Sequence, residues 1–454
     1  MIDKIGFSDS PTIESTSVGK DREVSNDEYQ LAGLGYKQEF TRVLGLFENW
    51  ASVFTAMNFV SGIAGLLGWA LYTGGPTPAF TYWVLVGAMA VNLSLVMAEI
   101  AAAYPTAGGI YFWSYRLGGP KFGPFLAWMT AWWNFSGWLC SIPSVQQNST
   151  NFLLSAIEIK YPNLELLHYG WFEWILTFVG TLLALIPNVI SHKVMTWYLR
   201  FAVVSALTLF FCYVIWLPAK ASGHFRPSSQ VFNHFDNGIN FGTEKQASDA
   251  YVWTIAVLFS AWVFYGFGEL QTPLQTGGKR VVFAISRDGV LPFSKYFRKL
   301  NRNGIPTNAA LLVGFLSIAI STAVIGSTVA FTAITATGTI AANFSYIIPI
   351  ISRYTIGRKR FTPAAWNLGH ASQMMGLVAV LYILFLFTVL LLPQEYPVTA
   401  QTLNYAPICI GIVTVVSLVG WILPFGLGAW SWFHGPKKTI DVEEFNTLTI
   451  VDKN

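Results

Sequence analysis

Residues Asn58–Pro76 read "NFVSGIAGLLGWALYTGGP". No charged side chain interrupts this run, and it matches the ~20 apolar residues needed to cross a bilayer core. Similar runs recur along most of the 454 residues, of which 53% are hydrophobic and only 11% charged. Soluble chains carry about 25% charged residues, so this composition marks an integral membrane protein. Segments this long favour helices over the ~10-residue alternating strands of a membrane barrel. The expected fold class is an all-α polytopic membrane protein.

Working outward, ten apolar runs lie between turn signals: residues 50–72, 79–103, 126–155, 171–190, 197–218, 250–268, 308–326, 328–350, 373–393 and 406–428. Lys and Arg in the connecting loops set their orientation. With the N-terminus inside, the cytoplasmic loops hold Arg116, Lys121, Lys193, Arg200, the basic cluster from Lys279 to Arg302, the cluster from Arg353 to Arg360, and Lys437 with Lys438. The opposite loops hold only Lys160, Lys220, Arg226 and Lys245. The positive-inside rule therefore expects both termini in the cytoplasm. Residues 1–44 lack an apolar signal-peptide core and are expected to be a disordered cytoplasmic tail, residues 45–436 the transmembrane domain, and residues 437–454 a second cytoplasmic tail. The loop bias accounts for the net charge of +4 without a nucleic-acid partner.

Chemistry-bearing clusters are absent from the pattern. Cys140, Cys212 and Cys409 each sit inside an apolar run without metal-ligand spacing, so neither a disulfide nor a metal is expected, and no cofactor. Glu48, Glu99 and Glu173 fall near span ends, where they are expected to reach water. No nucleophile–base pair, carboxylate pair or Gly-rich phosphate loop is present, which argues against an enzyme.

The opening stretch carries Gly62, Gly65 and Gly68 with Ser61 ahead of them. Two readings fit this spacing. Small residues three or four apart let neighbouring helices approach. They also lower the cost of breaking a helix in mid-membrane, where freed N–H and C=O groups hold a substrate's charged ends. After the second run, "AEIAAAYPTAGGIYFWSYRLGGPKFGPFLAW" (Ala98–Trp128) has Pro105 and Gly108-Gly109 as breakers and an aromatic belt beside Arg116. It suits a short helix lying along the cytoplasmic interface.

Three further segments complete a pattern: "LGYKQEFTRVLGLFENW" (Leu34–Trp50), "GGP" at Gly74–Pro76, and "FAISRDGVLPFSKYFRKL" (Phe283–Leu300). Together with the two quoted above, they resemble fungal amino-acid permeases of the amino acid/polyamine/organocation superfamily, the GABA and choline permease type most closely. The resemblance implies twelve spans, the first ten in two inverted five-helix repeats. It implies a multi-pass protein of the plasma or vacuolar membrane that takes up an amino acid or related amine, with protons as coupling ion. The substrate site would lie between broken first and sixth spans, here on Ser61, Gly62, Ile63, Ala64 and Gly65.

The sixth span follows the family through Trp262, Phe264, Tyr265, Gly266 and Phe267, then departs: Gly268 stands where the family has an acid, and "ELQTPLQTGGKR" leads directly into the loop near Val281. By this resemblance the inner half of span six, span seven and most of span eight are missing near residues 268–280, an amount of roughly 80–100 residues. Losing an even number of crossings leaves the orientation of both flanks unchanged. Phe264, Tyr265, Gly266 and Phe267 are candidate wall residues of the site. Asn134 and Gln146, polar within the third run, either face a cavity or bond between helices. The reading favours a transporter. The alternatives are a nutrient sensor that binds without transporting, or an inactive truncated permease; the short tails disfavour the sensor.

Overall fold

The computed structural model describes residues 31–36, 45–56, 59–106, 108–240, 246–264, 274–301, 303–326, 328–394, 396–400 and 402–437. The chain divides into two units. In the unit comprising residues 1–38 and 438–454, Leu31–Tyr36 are described: Leu31–Gly33 are helical and a turn follows, with the Tyr36 N–H on the Leu31 carbonyl. The other unit, residues 39–437, carries the helices given next.

Their order is α1 (Leu46–Ala56), α2 (Phe59–Tyr72), α3 (Pro76–Ala103), α4 (Gly109–Lys160), α5 (Gly170–Val189), α6 (His192–Lys220), α7 (Asp249–Val263), α8 (Leu274–Arg287), α9 (Thr307–Ser321), α10 (Thr328–Tyr354), α11 (Ser372–Leu391) and α12 (Ala406–Ile422). Six helical segments among the described residues are long and apolar enough to cross a membrane: α3, α5, α6, α9 continued to Gly326, the Ala333–Tyr354 part of α10, and Gly369–Leu391 around α11. Shorter apolar helices occupy Gly62–Tyr72, Asp249–Val263 and Ala406–Ile422. With α4, these account for all ten expected runs.

Local chemistry sets the ends. Gly74 and Gly75 take φ of 114° and 78°, turning the chain between α2 and α3, and Pro76 opens α3 where no backbone donor is needed. Ser191 caps α6 by accepting from the Val194 N–H at 3.2 Å, and Ser248 caps α7 by accepting from the Tyr251 N–H at 3.3 Å. Strand β1 (Thr73–Gly74) pairs antiparallel with β2 (Asp236–Asn237), pinning the loop after α6 beneath the start of α3.

Gly119 divides α4. Its φ of 68° and ψ of −171° are non-helical, so Gly109–Gly118 forms a separate lead-in before the long helix that starts at Pro120. A separate short helix therefore stands where the sequence suggested one. The division also means that the third span begins earlier than residue 126.

The centre of the molecule is the α4–α10 seam. Residues Asn134, Gly137, Ser141, Ser144 and the facing Ser345, Ala342, Gly338, Thr335 bring the two helices close. Asn134 Nδ2 donates to Ser345 Oγ at 3.4 Å, and Ser144 Oγ donates to Thr335 Oγ1 at 2.8 Å. A Cβ added at Gly137 would lie 2.8 Å from the Ala342 backbone nitrogen, and one at Gly338 would lie 2.9 Å from Ser141 Oγ. Small residues at the contact permit this approach without a bulky apolar layer.

Two apolar clusters flank the seam. One joins Val86 of α3, Ile255 and Leu258 of α7, Ile340 of α10 and Leu386 of α11. The other joins Trp128 and Trp133 of α4, Val282 and Ile285 of α8, Ala309 and Val313 of α9, and Phe433. Helix α2 packs chiefly on α7 and leaves Leu67 and Leu71 exposed, while nothing stands within 4 Å of a Cβ added at Gly68. Helix α6 packs on α1 and α5 and exposes Trp197, Phe201, Val204, Ile215 and Trp216.

Candidate functional site

In the first span the described residues form α1 up to Ala56 and α2 from Phe59, with residues 57 and 58 outside the described residues. Helix α2 runs unbroken through Ser61, Gly62, Ile63, Ala64 and Gly65. Among the described residues the chain is helical through Ser61, Gly62 and Gly65 and shows no interruption at the glycines themselves.

Gly62 is buried against α7, where an added Cβ would meet Val263 Cγ2 at 3.1 Å. Gly65 faces α4: an added Cβ would lie 2.8 Å from Asn148 Oδ1. Ala64 is half-buried and Ile63 is exposed. The structure thus gathers the start of α2, the end of α7 and Asn148 of α4 at one place.

The other candidates divide. Phe264 ends α7, but its ring turns to α3, with its centroid 5.0 Å from that of Trp83 and Cζ 3.3 Å from a Cβ added at Gly87. That ring packs between α7 and α3. Tyr265, Gly266 and Phe267 lie outside the described residues. Asn134 belongs to the α4–α10 seam through Ser345, and Gln146 points to Gly180 of α5, so neither joins Gly62 and Gly65. Asn148 is the residue that sequence reasoning missed. The signal was present: Asn134, Gly137, Ser141, Ser144 and Asn148 recur at the 3-4-3-4 spacing of one helix face.

Next to Asn148, a second polar cluster links α4 to α5. Gln147 Nε2 donates to Glu173 Oε1, Thr177 Oγ1 donates to Gln147 Oε1 at 2.9 Å, and the Thr150 and Thr177 hydroxyls are 2.9 Å apart. Buried polar groups in an apolar setting are paired because an orphan costs several kcal/mol.

Two acids expected to reach water are instead enclosed. Glu99, at the end of α3, is 1% exposed. Its carboxylate accepts from Arg353 Nη2 at 2.9 Å, from Ser372 Oγ at 2.7 Å and from the Leu368 N–H at 3.3 Å. Arg353 also donates Nη1 to Ser372 Oγ at 2.6 Å and lies 3.9 Å from the Phe361 ring centroid. The ends of α3, α10 and α11 are tied together by this cluster. Glu48 of α1 is likewise buried and accepts from Arg200 Nε of α6 at 3.0 Å. The sequence placed these acids correctly near helix ends; the partners that close over them come from other helices, 152 residues away for Glu48 and Arg200 and 273 for Glu99 and Ser372.

Comparison with known proteins adds identity to this geometry. The amino acid permease family profile matches residues 44–269 and 273–415. The chain is 26% identical to the amino-acid permease BAT1 homolog of Oryza sativa subsp. japonica, over 91% of this chain and 96% of that protein. It is 27% identical to the amino-acid permease BAT1 of Arabidopsis thaliana, over 92% and 97% respectively. It is 24% identical to the thiamine transporter thi9 of Schizosaccharomyces pombe, over 89% and 86%. The first of these alignments extends over 506 positions, more than the 454 residues of this chain; 91% of 454 is about 413, leaving about 93 positions without a counterpart here. The profile match, its extent and the multi-pass helical architecture agree: this chain belongs to the amino acid permease family.

Proposed function

We propose that the complete form of this protein is a secondary active transporter of an amino acid or related amine, in the class of GABA, choline and polyamines, driven by a proton gradient. The carrying observation is that Gly62 lies against Val263 at the end of α7 while Gly65, one turn on, lies beside Asn148 of α4. The amide of Asn148 suits a polar or charged group of such a substrate. A relative named as a thiamine transporter adds thiamine to the amines worth testing. The protein is read as residing in the plasma or vacuolar membrane with both tails in the cytoplasm.

The sequence as given is read as lacking part of its second repeat. What supports this is the break in the profile match between residues 269 and 273 and the roughly 93 unmatched positions of the rice alignment. The open flank of α2 at Leu67, Gly68 and Leu71 fits the absence of neighbouring spans. Alternating access needs those spans, so the chain as given is expected to be inactive.

The test is uptake of radiolabelled GABA, choline and thiamine into cells lacking their own permeases. It compares this chain with a form carrying the two-span segment of a full-length relative between residues 269 and 273. Uptake abolished by a protonophore is expected for the restored form and none for the chain as given; equal uptake by both sinks the truncation reading. In the restored form, Gly62→Leu is expected to abolish uptake while leaving surface expression intact. Unchanged uptake would return the α2 glycines to a packing role.

A further inference from the structure

At the end of the molecule where α3 stops and α4 starts, the positive charge is not balanced. Gly119 kinks α4, and a Cβ added there would run into the guanidinium of Arg360, so that side chain is laid in the crease of the kink. Gly357 sits under the same loop, where an added Cβ would lie 2.9 Å from the Leu117 carbonyl oxygen. Beside the crease, Lys121 Nζ stands 5.3 Å from the centroid of the Phe122 ring, and Phe122 is 46% exposed. Arg116, one turn before the kink, is also exposed, as are Arg358, Lys359 and Arg360. Tyr104 connects the parts: its ring is 5.9 Å from that of Phe361, and the charges of Arg116 and Arg353 both act on its hydroxyl.

The acids at this end are already engaged. Among the described residues, Glu99 is held by Arg353, Glu48 by Arg200, and Asp288 by Arg287 and the Lys437 N–H. The remaining described acids, Glu158, Glu165, Glu173, Asp236 and Asp249, belong to the opposite ends of the helices. Arg116, Lys121, Arg358, Lys359 and Arg360 thus have no carboxylate partner among the described residues.

Depth matters as much as charge. The lead-in helix Gly109–Gly118 meets the long helix at Gly119 and Pro120, and the basic side chains gathered at this helix end are the kind that sit at a membrane surface. Basic side chains there, flanked by an exposed phenyl ring, match a phosphate head group joined to acyl chains. Arginine's planar fork suits phosphate oxygens in a bidentate contact.

The geometry points to a binding site for an anionic phospholipid at the Gly119 crease, with Arg360 and Lys121 holding the head-group phosphate and Phe122 beside the acyl chains. This site is separate from the Gly62, Gly65 and Asn148 cluster and does not depend on the transport reading.

The test uses the full chain purified in an uncharged detergent, with its melting temperature followed by tryptophan fluorescence. The probes are dioctanoylphosphatidylserine, dioctanoylphosphatidylcholine and inorganic phosphate. Phosphatidylserine is expected to raise the melting temperature saturably, while phosphatidylcholine and phosphate leave it unchanged. Arg360→Gln and Lys121→Gln, each matching the wild-type melting temperature without lipid, are expected to raise the half-saturating concentration roughly fivefold. Lys295→Gln and Lys299→Gln remove exposed charges from the loop before α9 and are expected to leave it unchanged. The proposal is overturned by no shift with phosphatidylserine, by an equal shift with inorganic phosphate, or by equal weakening in the Lys295 and Lys299 variants. That last outcome would mean a diffuse field instead of a site.

Discussion

Replacing Arg353 with Ala would strand Glu99 inside the protein. The side chains of Arg353 and Glu99 are 8% and 2% exposed, so water screens neither. Arg353 supplies two charge-assisted bonds, to Glu99 at 2.9 Å and to Ser372 at 2.6 Å. Each such bond contributes about 1.5–3 kcal/mol. After the substitution Glu99 keeps only the Ser372 hydroxyl and the Leu368 N–H, and breaking one side of a buried pair costs about 3–5 kcal/mol. Taking out both charges tells a different story: a Glu99→Met/Arg353→Met double variant is expected within about 2 kcal/mol of wild type, because well-packed apolar side chains avoid the desolvation penalty. The assay is reversible unfolding in mixed micelles of uncharged detergent and dodecyl sulfate, run as a double-mutant cycle on both single variants and the double. A coupling energy of about 2 kcal/mol or more is expected. Additive effects, or a loss below about 1 kcal/mol for Arg353→Ala, would refute the reasoning and reduce the pair to a surface-like contact.

Two further outcomes follow from packing and from titration. Gly137→Ala puts a methyl group against the Ala342 backbone at 2.8 Å, which forces α4 and α10 apart; a loss of about 1–3 kcal/mol is expected in the same unfolding assay, and a neutral result would show that the seam yields freely. Burial pushes the Asp288 carboxyl above the ordinary aspartate range, against the opposing pull of Arg287 and the Lys437 N–H. Its folded value lies above its unfolded one, so its stabilising contribution is full below about pH 3.9 and drains away as pH rises through the folded value. Asp288→Asn, which does not titrate, should gain on wild type across that window and hold a constant margin above it. Melting temperatures of both proteins between about pH 3.5 and about pH 7.5 check this, and a difference that does not vary with pH would refute it.

Much of the architecture was written in the chain itself. Apolar runs bounded by Gly, Pro and charged residues located ten helices, because a bilayer-crossing backbone must satisfy its own hydrogen bonds and so depends on local composition. Pro105 with Gly108 and Gly109 marked the break between α3 and α4, and Pro76 after Gly74 and Gly75 marked the start of α3. These are local steric rules and need no partner to be read. The glycines of α2 were legible as a place of close approach, and the helix runs through them without a break. Spacing cannot tell a helix that breaks from one that admits a neighbour, since both ask for small side chains.

What only the tertiary structure decided is which helix each face meets. Asn134, Gln146 and Asn148 are alike as polar residues on one apolar helix, yet one meets Ser345 of α10, one Gly180 of α5, and one Gly65 of α2. Glu99 has no partner in its own helix; Arg353 and Ser372 lie more than two hundred positions along the chain. Hydropathy places a residue at a depth in the membrane, because a given side chain's transfer free energy depends on depth and not on which helix lies beside it. The neighbour at that depth is set by how separate helices pack side by side, and that packing is written across the whole bundle and in no single segment of it.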